Sequence, residues 1–205
     1  MEFKLWFESL ETISDKIFSR RESNLKISSN KILQAVGINS KKPLQIIGKG
    51  SLATVYKHPV DPTKIIKVTG DSRDYKNLIN ATKRNIPDIP KVYNSAKLSN
   101  NTFILVLDYI SGTIIPYSTS ALHALIQGEN FDDLSEAIKN IFDESDNERN
   151  KILDNYSTNN HNERVKLSRL FRTLLNLERI GIELFDYSEN IIDDGKRYIV
   201  IDMGE

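Results

Sequence analysis

The chain contains no cysteine among its 205 residues. That excludes disulfides, thiolate metal centres and cysteine nucleophiles, and a reducing compartment is the simpler expectation. Net charge is also missing, since 28 Lys and Arg balance 28 Asp and Glu. No overall field therefore draws the chain toward nucleic acid or membrane. No apolar run approaches the roughly 18–20 residues that a bilayer span needs. The N-terminus is amphipathic with acids at Glu2 and Glu8, which is not the pattern of a signal peptide. There is no internal repeat and no low-complexity linker. A cytoplasmic location is the expectation, with neither nucleic-acid nor membrane partners.

What is present is ordinary in bulk and uneven in detail. Hydrophobic residues make up 39% and charged residues 27%, enough for a soluble domain with a real core. Between Gln127 and Glu148 lie eight acids and one base, Lys139. That stretch reads as a solvated helical face or as a docking surface for a basic partner.

The texture changes along the chain. Residues 3–35 carry apolar positions at helical spacing (Leu5, Leu10, Ile13, Ile17, then Ile27, Ile32, Leu33), closed by Gly37. From Leu44 the pattern turns to short strands at 44–47, 53–58 and 64–68, with Pro59-Val60-Asp61-Pro62 as a turn. A polar helix is expected over 74–84, then strands over 91–98 and 102–109. The second half reads as helical, over 120–127, 131–142, 148–156 and most clearly 163–179, where Val165, Leu167, Leu170, Phe171, Leu174 and Leu177 share an apolar face. A final hairpin, 190–193 and 198–201, is turned by Asp194-Gly195. The reading is an α+β chain in three parts: a helical extension (1–42), a sheet-rich lobe (43–112) and a mainly helical lobe (113–205).

Three groups of residues could carry chemistry. Gly48-Lys49-Gly50-Ser51-Leu52-Ala53-Thr54-Val55-Tyr56 lies between two strands, where glycines allow close backbone approach to phosphate. By itself it is equally a plain hairpin. Lys67 in Ile65-Ile66-Lys67-Val68 is an ammonium in an apolar strand and calls for an anion, unless it snorkels from an edge. Asp186 and Asn190 before one strand, and Asp202 after its hairpin partner, gather oxygen ligands of the kind magnesium takes, or are turn and cap residues.

The order of these parts resembles a protein kinase: a glycine hairpin, a strand lysine 17 residues after Gly50, a helix, two strands, helices, then acid, asparagine, hairpin and Asp-x-Gly. The chain looks like a minimal, atypical member of the protein-kinase-like superfamily, similar to the early serine/threonine kinase of podophages and to small bacterial effector kinases. The resemblance is carried by Gly48–Tyr56 with His58-Pro59, by Pro62 through Lys67-Val68, by Ile89-Pro90-Lys91-Val92-Tyr93, by 102–108, and by Phe185-Asp186 and Asn190-Ile191. It implies a two-lobe fold with a five-stranded antiparallel N-lobe sheet and a truncated, mainly helical C-lobe. It implies ATP and Mg2+ as cofactors and a protein substrate in a host bacterium or host cell. Gly48, Gly50, Ser51 and Val55 would form the roof over the nucleotide. Lys67 would hold the α- and β-phosphates, and the backbone at Asp108 and Ile110 would meet adenine. Asp186 would orient the substrate hydroxyl, and Asn190 and Asp202 would bind magnesium.

Four departures accompany the resemblance. Asp186 precedes Asn190 by four positions where the family has five, and Leu184-Phe185 stand where its histidine would be. No glutamate lies in the helix after Lys67, which leaves Asp74 as the expected partner of that lysine. The sequence stops soon after Asp202-Met203-Gly204, so the 1–42 and 113–160 regions are expected to support the lobe and receive the target. Three readings therefore stand: an active protein kinase, a pseudokinase that binds nucleotide and inhibits a partner protein, and a small-molecule phosphotransferase.

Overall fold

The computed structural model describes residues 27–98, 101–115, 147, 151, 161–182 and 190–204. The part of the expected 3–35 helical stretch before residue 27, the expected helices at 120–127, 131–142 and 148–156, the acidic stretch and Asp186 lie outside the described residues, apart from Asn147 and Lys151. The described elements run α1 (Ser29–Ala35), β1 (Ile46–Lys49), β2 (Ala53–Lys57), β3 (Lys64–Thr69), α2 (Ser72–Lys83), β4 (Val92–Leu98), β5 (Thr102–Asp108), β6 (Thr113–Ile114), α3 (His161–Arg179), β7 (Ile191–Asp193) and β8 (Tyr198–Val200). They form two compact units. One gathers the described residues up to Ser72 with Tyr93–Tyr109; the other gathers Arg73–Val92 with those from Ile110 onward.

The first unit is a five-stranded antiparallel sheet in the order β1-β2-β3-β5-β4. The chain is thus α+β, with the strand count the sequence pattern gives. Strand side chains alternate between faces, and one face is covered by α1. Ile32, Leu33 and Val36 of that helix pack with Ile66, Val68, Ile104 and Val106 of the sheet. Ser28 caps the start of α1 by accepting the N–H of Lys31 at 3.4 Å. At its end Gly37, at φ +66°, lets Ile38 N–H reach Leu33 O (2.8 Å) and its own N–H reach Gln34 O (3.1 Å), which satisfies the last carbonyls. Strand β1 begins two residues later than the apolar pattern predicts, and a bulge between Ile46 and Gly48 shifts its register with β2.

The second unit is built on α2, α3 and a small sheet in the order β6-β7-β8. The apolar stripe of α3 is buried at Leu167, Leu170, Phe171, Leu174 and Leu177, although Val165, assigned to that face by periodicity, is 41% exposed. The α3 helix packs on β8. Both α2 and α3 end as α1 does, with Asn85 (φ 53°) and Gly181 (φ 77°) in the left-handed position. Strand β6 is too short to read from sequence. It reaches β7 because Gly112 has no side chain: a Cβ there would stand 2.3 Å from the Asp193 carbonyl oxygen.

Candidate functional site

In the first unit the candidate residues fall into register. Gly48 on β1 pairs with Val55 on β2, Val55 with Lys67 on β3, and Lys67 with Leu105 on β5. Register partners point to the same face of a sheet, so the four make one row across four strands. Ile66 and Val68, the neighbours of Lys67, pack under α1, so the row lies on the opposite face. A Cβ built on Gly48 would meet Val55 Cβ at 3.5 Å; glycine therefore leaves that end of the row uncovered. Lys67 is only 5% exposed, and its position on an interior strand argues against the edge snorkelling that the sequence alone left open.

The glycine segment is a tight hairpin. Gly50 N–H donates to Ala53 O at 2.8 Å, and Gly70 N–H donates to Leu52 O at 2.9 Å. Ser51 and Leu52 form its exposed tip. Gly50 thus uses its own N–H to close the turn, and the tip residues present the loop's outer surface.

At the far end of β5 the Asp108 side chain accepts a hydrogen bond from the Tyr93 hydroxyl at 2.8 Å. That bond, with some burial, raises the Tyr93 pKa above its ordinary value. Lys64 Nζ stands 4.4 Å from the Tyr93 ring centroid and 2.8 Å from Asp61. Asp108 is the register partner of Lys64, and Tyr109 N–H bonds to Thr63 O at 2.8 Å. This carboxylate therefore belongs to a surface network at the ends of β3, β4 and β5. Ile110 follows as a half-buried residue counted with the second unit.

In the second unit Asn190 and Asp202 sit at the open end of the β7–β8 hairpin. Ile191 pairs with Val200, and one step further Ile201 N–H donates to Asn190 O at 2.9 Å. Asp202 is the next residue, half-buried, with its Oδ1 accepting Gly204 N–H at 3.1 Å. The hairpin thus places the backbones of the two residues beside each other. A carboxamide oxygen and a carboxylate are hard donors, which fits magnesium, a cation that takes few protein ligands and completes its shell from phosphate and water. Among the described residues no group of three or more His, Cys, Asp or Glu could hold a metal by itself.

Two features escaped the sequence. Asp74 is buried, and its Oδ1 accepts Met203 N–H at 3.3 Å, while Asn77 Nδ2 donates to Met203 O at 2.8 Å. Helix α2 thereby holds the residue that follows Asp202. Asp88, also buried, accepts Arg169 Nε and Nη2 (3.1 and 2.8 Å) and Arg197 Nη1 (3.1 Å), and its carbonyl accepts Val200 N–H at 3.1 Å. The sequence cue for the second was a Pro-Asp-Ile-Pro turn with an acid inside it. Its arginine partners lie 81 and 109 positions away, beyond the reach of local pattern.

No protein-family model matches the chain, and no curated protein is similar to it in sequence. Among solved structures, a thermostable mutant of an aminoglycoside phosphotransferase in its apo form is similar at TM-score 0.40 and 15% identity, over 86% of this chain and 73% of that one. A further aminoglycoside phosphotransferase, complexed with GDP and kanamycin, is similar at TM-score 0.41 and 12% identity, over 86% and 71%. The kinase domain of the maize sucrose-induced receptor kinase, bound to AMP-PNP, is similar at TM-score 0.33 and 18% identity, over 88% and 55%.

Proposed function

We propose that the chain binds magnesium–ATP and transfers the γ-phosphoryl group to a serine or threonine of a partner protein in a host bacterium or host cell. The observation that carries the reading is the row Gly48–Val55–Lys67–Leu105, with a buried lysine at its centre and an uncovered glycine at its end. Nucleotide phosphates are the anions that an ammonium on that face is suited to hold, through charge-assisted hydrogen bonds. In this reading Gly48, Gly50 and Ser51 lie over the phosphates and Val55 over the nucleoside. Lys67 holds the α- and β-phosphates, and backbone groups at Asp108 and Ile110 hold adenine. By the order of the sequence motifs, Asn190 and Asp202 would be the magnesium ligands and Asp186 would orient the acceptor hydroxyl. The cation, when bound, neutralises charge on the phosphates.

A second reading is nucleotide binding without transfer, the chain acting by binding and inhibiting a partner protein. The four-residue spacing of Asp186 and Asn190 and the lack of a glutamate in α2 favour it.

Incubation with labelled ATP, magnesium and a cell lysate separates the readings. Label on protein that disappears with Lys67→Ala and with Asp202→Ala supports transfer. Magnesium–ATP binding without transfer supports the second reading, and label only on a small metabolite would give the acceptor as a small molecule. Loss of both binding and transfer in the native chain would remove the site assignment.

A further inference from the structure

The grip of α2 on Met203 has a consequence for Asp202. Asp74 and Asn77 stand three positions apart, on one face of the helix, and each takes one backbone group of Met203. The Met203 carbonyl and the Gly204 N–H belong to one peptide plane. Asn77 Nδ2 holds the carbonyl end of that plane at 2.8 Å, and the N–H end donates to Asp202 Oδ1 at 3.1 Å. Turning the plane over would break both bonds. Asn77 thus decides whether the Gly204 N–H faces the Asp202 carboxylate. Met203 is fully buried and cannot readily move away. Asparagine is also a poor helix former, so its place inside α2 is accounted for by this bond.

We propose that Asn77 is a positioning residue for cation binding. It fixes the Met203–Gly204 peptide, which fixes the Asp202 carboxylate in the orientation that receives magnesium. The inference rests on the reading of Asp202 as a magnesium ligand. Groups that orient a ligand from behind are typically worth about 10- to 100-fold in metal affinity.

The test is the magnesium dependence of binding a fluorescent ATP analogue to the full chain, read as the magnesium concentration at half-saturation. Asn77→Leu keeps the side chain's bulk and removes the donor. It should raise that concentration about tenfold or more and leave the affinity measured in excess chelator unchanged. Asp202→Asn should remove the magnesium dependence, and adding Asn77→Leu to it should cost nothing further. Hydrogen exchange at the 201–204 segment should quicken in Asn77→Leu. If that variant fails to fold, Asn77→Asp, which keeps the shape and exchanges the donor for an acceptor, must show the same rise. A native half-saturation concentration in whichever variant folds overturns the inference alone. Nucleotide binding by the native chain with no magnesium dependence overturns the reading of Asp202 and the inference with it.

Discussion

Arg169 embraces the buried carboxylate of Asp88 with two parallel hydrogen bonds, Nε to Oδ2 at 3.1 Å and Nη2 to Oδ1 at 2.8 Å. With Arg197 on the same oxygen, the turn after α2 is tied to α3 and to the β7–β8 hairpin. Removing the acid leaves two cations, but both arginines are nearly half exposed and can return to water. Asp88→Ala should therefore cost about 2–4 kcal/mol, below the full value of a broken buried pair. Asp88 also has φ 52°, which asparagine tolerates and alanine does not. Asp88→Asn should be the milder change in urea denaturation, and equal losses would contradict this.

A side chain at Gly112 would meet the backbone of β7. Its Cβ would lie 2.3 Å from Asp193 O and 2.5 Å from Ile192 Cγ2. Backbone cannot yield as a flexible side chain would, so Gly112→Ala should destabilise the chain by about 2–3 kcal/mol. A denaturation midpoint within error of the native value would count against the β6–β7 pairing.

Stability should fall at both ends of the pH range for separate reasons. Burial pushes the Asp194 carboxyl up, but N–H groups of Lys196 and Arg197 and the Arg197 guanidinium outweigh it and hold the pKa below 3.8. A lowered folded pKa means stability that is present above 3.8 and lost on acidification below it. Burial first, and then the hydrogen bond to Glu163, raise the Tyr198 pKa well above 10.0. The unfolded phenol ionises near 10.0 while the folded one does not, so that contribution is lost as pH rises beyond it. Thermal denaturation across pH should show a shallower alkaline limb in Tyr198→Phe and a shallower acid limb in Asp194→Ala. Parallel limbs would refute the assignment.

Gly48 offers a substitution that separates fold from function. The 3.5 Å contact its Cβ would make with Val55 is ordinary, so Gly48→Leu should fold with a melting temperature within a few degrees of native. Its side chain would cover the row, and nucleotide affinity should drop at least about tenfold. Preserved affinity would show that this face does not receive the nucleotide.

The parts legible in sequence were those that local rules govern. Gly37 marked a helix end because only a residue at ease at positive φ completes that cap. The strand lysine and the Asp194-Gly195 hairpin were readable because alternation and turn chemistry act over a few residues. Helix α1 read as an extension, since a seven-residue helix cannot announce which sheet face it will cover. Asn77 was not legible, because a polar residue in a polar helix gives no sign that its partner is 126 positions away. The expected pairing of Asp74 with Lys67 drew on the family pattern, whereas the bond from Met203 to Asp74 follows only from the fold.

Titration of the native chain and of Lys67→Met with magnesium–ATP tests the central claim most directly. Methionine keeps the stem of the lysine and removes the charge, so the fold should persist. The native chain should bind saturably, and Lys67→Met should bind at least about tenfold more weakly, the loss of a charged hydrogen bond to phosphate. Equal affinity in the two proteins, or no saturable binding in the native one, would contradict the account.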